Sequence, residues 1–255
     1  MRSRFYILTG IIAYLAFLVA SVPAAPVLSL FEDRLPMIIN NVTGTLWNGR
    51  AGSIDTRRNI TLKNIHWSFQ PWRLLLAKAS IRLTAQFNNK PFSSRLSSGI
   101  SGKLVVDNLD MKLGAADIAS LVSLPLGELS GEFALHIDHA VFDPGSVPRI
   151  DGSINWNQAS ITVAETADLG NVTIVLNETE GSPLAATISN AGGHIALNGN
   201  FTTTDQGVYT LQLTMKPNST ASDNLVNSLA MFAKKQRNGE FLLNNNGDLK
   251  TLGVM

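Results

Sequence analysis

From residue 37 onward the chain alternates apolar and polar side chains with a period of two, and this period constrains its fold more than any other feature. In IRLTAQF, Ile81, Leu83, Ala85 and Phe87 fall on one side; in EFALHID, Phe133, Leu135 and Ile137 do. The same holds for Val172, Ile174 and Leu176, for Ile195, Leu197 and Phe201, and for Tyr209, Leu211, Leu213 and Met215. The residues between them are mostly Thr, Gln, Asn, His and Glu. Successive strand side chains point to opposite faces, so each segment is apolar on one side and wettable on the other, as in antiparallel sheets. Turn signals separate the segments: Asp143-Pro144-Gly145, Asp151-Gly152, Glu180-Gly181, Gly192-Gly193 and Gln206-Gly207. The predicted fold is mainly β, a strongly twisted antiparallel sheet with one apolar face. That face must be covered by a second sheet, by curling, by a helix or by a partner.

Helical signals are few. Residues 115–123 read as one short helix and residues 221–237 as a longer one. In the second, Leu225, Leu229, Met231 and Phe232 run near helical spacing and Ser222 can cap the start. Gly239 is expected to stop it, with Lys234, Lys235 and Arg237 near its carboxyl end.

The amino terminus follows different rules. Arg2 and Arg4 precede FYILTGIIAYLAFLVASV, an uncharged stretch of 18 residues from Phe5 to Val22. At helical rise this spans about 27 Å, close to the ~30 Å hydrocarbon core of a bilayer. A cleaved signal peptide and an uncleaved anchor both begin this way. The apolar run is longer than a signal peptide needs, and Pro23 and Pro26 crowd the candidate cleavage site, so the expectation is a single-pass anchor. The flanking arginines place residues 1–4 in the cytoplasm and the bulk in a bacterial periplasm. The expected organisation is a cytoplasmic 1–4, a transmembrane signal anchor at 5–22, a juxtamembrane linker at 23–36 and a periplasmic β-rich domain at 37–255.

Composition excludes several classes of function. Lys plus Arg is 20 and Asp plus Glu is 19, a net charge of +1 that gives no basic excess for nucleic acid. With cysteine at 0, disulfides, thiolate metal sites and a cysteine nucleophile are all excluded. His136 and His139 stand three apart in a strand pattern, which strict alternation sends to opposite faces, and Asp107 and Asp110 do likewise. No HExxH, GxSxG, SxxK or phosphate-loop string occurs. The expectation is no enzyme, no metal and no cofactor.

Three strings stand out together: VTGTLWNGRAGSI at 42–54, NIHWSFQPWRLLLAKASIRL at 64–83 and GSINWNQAS at 152–160. With a short amino-terminal anchor and a length of 255, the chain resembles the protein N family of the bacterial type II secretion system. GTLWNGRA is the most specific string; the others are shared loosely with AsmA-like envelope proteins. The resemblance implies an accessory inner-membrane component of the machinery that exports folded exoproteins across the outer membrane. It also implies a periplasmic interaction or scaffold domain, with other inner-membrane components as partners. The alternative is an AsmA-like lipid or hydrophobic-ligand binder that uses an apolar sheet groove. Gly44, Trp47, Gly49, Trp67, Trp72 and Trp156 are the candidates for structural or partner-contact roles, with the two glycines expected in tight turns.

Overall fold

Alternation becomes pairing in the computed structural model, which describes residues 2–30, 37–56, 60–71, 73, 78–99, 101–121, 128–162 and 165–252. The chain divides into two compact units, residues 1–91 and 92–255.

The first unit opens with helix α1 (Arg2–Ala20) and helix α2 (Ala24–Ser29). Strands β1 (Met37–Asn40), β2 (Thr43–Gly44), β3 (Asn48–Thr56), β4 (Thr61–Phe69) and β5 (Lys78–Phe87) follow. β1 and β2 pair with the same edge of β3, which pairs with β4, which pairs with β5, all antiparallel. Ile65, Ala85 and Phe87 are buried here.

Strand β6 (Lys90–Gly99) leads into the second unit. There follow β7 (Leu104–Gly114), helix α3 (Ala115–Leu121), β8 (Glu128–Phe142), β9 (Arg149–Thr162) and β10 (Thr166–Thr179). Then come β11 (Ser182–Ala191), β12 (Ile195–Thr203), β13 (Val208–Pro217), helix α4 (Asp223–Phe232), β14 (Lys234–Lys235) and β15 (Phe241–Asp248). A closing 3-10 turn spans Leu249–Leu252. From β6 to β13 each strand pairs with its successor; β15 then pairs with β13, and β14 lies outside it. This is a meander of near neighbours, the simplest way to satisfy backbone groups with short connections.

The apolar side of the second unit's strands is the one the alternation marks. Trp156, Ala159, Leu169, Val172, Ile195 and Met215 are buried on it, with Ile174, Leu197 and Leu213 packed alongside. Helix α4 covers this part, contributing Leu225, and Phe241 of β15 is 1% exposed beside it. Further along the same strands, Leu176, Phe201 and Tyr209 pack on Val147, Leu184 and Leu249. The Phe201 and Tyr209 rings stack at 5.8 Å.

Two expectations change. Helix α4 is shorter than the 221–237 pattern. Ser222 does cap it, its side chain accepting from the Leu225 amide. The helix ends at Phe232, however, because Ala233 is extended and Lys234–Lys235 pair with Leu242 and Phe241. The basic residues therefore join an edge strand, not a helix carboxyl end. Gly239 turns the β14–β15 hairpin at φ +83°, where the left-handed region suits glycine.

The second change concerns α1. The helix forms, but no helix among the described residues is long and apolar enough to cross a membrane. Arg2 and Arg4 lie inside its first turn and it stops at Ala20, short of Val22. The uncharged helical part, residues 5–20, spans about 24 Å at 1.5 Å per residue, below the ~30 Å hydrocarbon core.

Candidate functional site

Helix carboxyl ends leave four carbonyls without intrahelical partners. In the first unit the string around Trp47 supplies donors to the end of α1. The Trp47 indole Nε1 donates to the Val19 carbonyl at 2.7 Å. The Leu46 amide donates to the Val22 carbonyl at 3.0 Å, and Pro23 forms an isolated bridge with Thr45. Trp67 on β4 completes the joint, its Nε1 donating to the Leu46 carbonyl at 3.1 Å. The Trp47 and Phe69 rings lie 5.0 Å apart at a tilt of 53°. The strand opening is thus tied to the last turn of a helix by one indole and to β4 by another.

The two glycines of this string do different things. Gly44 takes φ +87° where β2 turns into β3, a left-handed conformation that suits glycine. Gly49 lies inside β3, directly opposite Trp67. A Cβ at Gly49 would come within 2.2 Å of the Trp67 ring, so glycine here makes room for an indole lying across the neighbouring strand. Period-two reading could not show this, because it says nothing of what lies over a residue without a side chain. Trp72 falls outside the described residues.

Trp156 belongs to the second unit and is separate from the first unit's pair. It stacks on Phe133 at 4.8 Å and donates its Nε1 to the Ser130 carbonyl at 2.8 Å. It also lines a cavity of about 460 Å³ between the apolar sheet face and helix α4. Val172, Ile174, Ile195, Leu197, Leu213 and Met215 form the sheet wall, while Leu225, Leu229 and Phe232 form the helix wall. The volume lies within the ~300–1,000 Å³ typical of small-molecule sites. Glu165 stands at the lining, and the Ser222 hydroxyl reaches both its carboxylate oxygens at 2.8 Å. That contact ties the start of α4 to the loop before β10. The sequence marked the sheet wall but not the cavity, whose existence depends on where α4 stops.

His136 and His139 each pair with an aspartate. His136 Nδ1 hydrogen-bonds Asp110 Oδ1 across the β7–β8 ladder, and its Nε2 lies 3.2 Å from Asp138 Oδ1. His139 Nδ1 bonds Asp107 Oδ1 at 2.8 Å. Strict alternation does not carry through this stretch, because Asn108 takes φ +49° and the β8–β9 register shifts between Ile137 and His139. The Asp110 carboxylate, with a smaller contribution from Asp138, raises the His136 pKa above its ordinary 6.5. Among the described residues no group of three or more His, Cys, Asp or Glu could hold a metal ion.

Comparison with known proteins then decides the family. The family model described as type II secretion system (T2SS), protein N matches residues 36–244. The chain belongs to that family. A protein named type II secretion system protein N from Klebsiella pneumoniae is 28% identical over 235 residues, covering 89% of this chain and 88% of its own. One of the same name from Aeromonas hydrophila is 22% identical over 255 residues, covering 93% and 95%. No solved structure matches. The matched stretch contains Trp47, Trp67 and all of α4, while the helix side of the joint, at Val19 and Val22, lies before it.

Two outcomes follow. Gly49→Ala forces the Trp67 ring aside and costs about 1–3 kcal/mol in chemical denaturation, as overpacking does; an unchanged midpoint contradicts the close approach. The His136 imidazole titrates above 6.5 by proton NMR, and Asp110→Asn lowers its midpoint. Because the folded pKa is raised, the stabilisation from this pair is fully present below the unfolded pKa of about 6.5 and is lost as pH rises through the folded value.

Proposed function

We propose that this type II secretion component is a bitopic inner-membrane protein. In this reading α1 is its anchor and its β units are a periplasmic scaffold that docks other inner-membrane components of the machinery. The observation that supports the anchor is the helix surface. Tyr6, Ile7, Ile11, Ile12, Tyr14, Leu15, Phe17, Leu18 and Val19 are all exposed, so the helix is apolar on every side and needs a covering medium. Its uncharged part is short for a bilayer, a mismatch that local thinning of the bilayer accommodates. The positive end faces the cytoplasm. The indole joint then passes the position of the anchor directly to the first unit's sheet.

Sheet-edge addition suits the docking role. In the first unit's sheet β1 is an edge strand, and its Ile38 is 57% exposed. In the second unit the edge strand β14 carries Lys234 and Lys235, which blunt edge pairing. Docking is therefore assigned to β1.

The cavity under α4 favours a second reading. In that reading the second unit takes a hydrophobic ligand, independently of docking by the first.

A photo-crosslinking residue at Ile38 in the native envelope tests the docking reading. The expected adducts are inner-membrane components of the secretion machinery, with fewer adducts after a bulky charge replaces Ile39. Lipid adducts alone, or none, contradict it.

A further inference from the structure

The cavity under α4 has a chemical asymmetry that selects among hydrophobic ligands. Of its lining residues only Glu165 and Ser228 carry polar side chains other than the Trp156 indole. The indole N–H is already given to Ser130, and the Ser228 hydroxyl donates to the Asn224 carbonyl at 2.9 Å. Glu165 is different. An ionised carboxylate offers about four acceptor sites, and here the Ser222 hydroxyl is the donor that serves it. No basic side chain is paired with Glu165 among the described residues. The site is therefore an apolar chamber with one carboxylate on its lining that no basic side chain among the described residues balances.

Its size also points to a chain. At about 460 Å³ it is roughly three times the ~150 Å³ dry apolar cavity that takes benzene. The walls are aliphatic along several strands, and Phe232 at the far end of α4 remains 45% exposed. We infer that the second unit binds a single long-chain amphiphile whose head is an ammonium, with the alkyl chain under α4 and the head at Glu165. This rests on the hydrophobic-ligand reading above and adds the class of head. An ammonium supplies the donors and the positive charge that Glu165 lacks. A carboxylate or phosphate head would place a second anion beside it.

The full chain carried in phosphatidylcholine nanodiscs, with protein-free nanodiscs subtracted, is dialysed to equilibrium against dodecylamine, dodecan-1-ol or dodecanoate at pH 7. Dodecylamine is expected to bind at one equivalent, and dodecanoate about tenfold more weakly or less well still, as the change from attraction to repulsion at one carboxylate dictates. Glu165→Gln is expected to bring the amine and the acid to within about twofold while leaving dodecan-1-ol unchanged, because only the charge is removed. Wild-type protein that binds dodecanoate as tightly as dodecylamine overturns the ammonium assignment and leaves the hydrophobic-ligand reading standing. Failure of all three probes to bind overturns both.

Discussion

A sheet with one apolar face cannot leave that face in water, and this requirement organises the second unit. Each Val, Leu or Ile removed from water contributes on the order of 1.5–3 kcal/mol, so a face carrying Val172, Ile174, Ile195, Leu197, Leu213 and Met215 dominates the energetics of everything near it. The chain has few elements with which to cover it. One end is covered by the ten-residue helix α4, the other by Val147, Leu184 and the closing turn at Leu249. A short helix over a broad face leaves space, and the cavity is that space. The apolar space follows from this mismatch between the area of the face and the size of its cover, and Glu165 is the one charged group on its lining.

The first unit answers a different problem, a helix whose end must be fixed relative to a sheet. The Val19 carbonyl in the last turn of α1 takes an indole donor, and the Val22 carbonyl just beyond the helix takes the Leu46 amide. Trp47 can reach Val19 because β2 turns tightly at Gly44, and Trp67 can lie across β3 because Gly49 has no side chain to obstruct it. Three residue choices in one short string thus serve a single joint. This gives the GTLWNG string of this chain a physical reason, and a helix fixed in this way can pass its position to the strands.

Much of this was legible as pattern. Period-two alternation gives the strands and the apolar face; of the residues it assigns to that face in the second unit, Val172, Ile195 and Met215 are buried and Ile174, Leu197 and Leu213 half-buried. Ser222 was legible as a cap because local chemistry suffices there. Three kinds of feature were not. The end of α4 is decided by Lys234 and Lys235 pairing with β15, a tertiary contact that outweighs helical spacing. The phase through His136 and His139 depends on a register shift that alternation assumes away. Gly49 and Glu165 act through residues distant in sequence, Trp67 and Ser222, and nothing in their own neighbourhoods announces those contacts.

The central claim is that α4 is a separable cover over an apolar face, held by its Ser222 cap, the Glu165 contact and Leu225, while the strands beneath form the stable body of the unit. Native-state hydrogen exchange on the full chain tests it most directly, because it resolves local from global opening. The account predicts that amides of α4 exchange through a local opening of lower free energy, while those of β12 and β13 between Ile195 and Met215 exchange only with global unfolding. Exchange of α4 and these strands at one common free energy would contradict it.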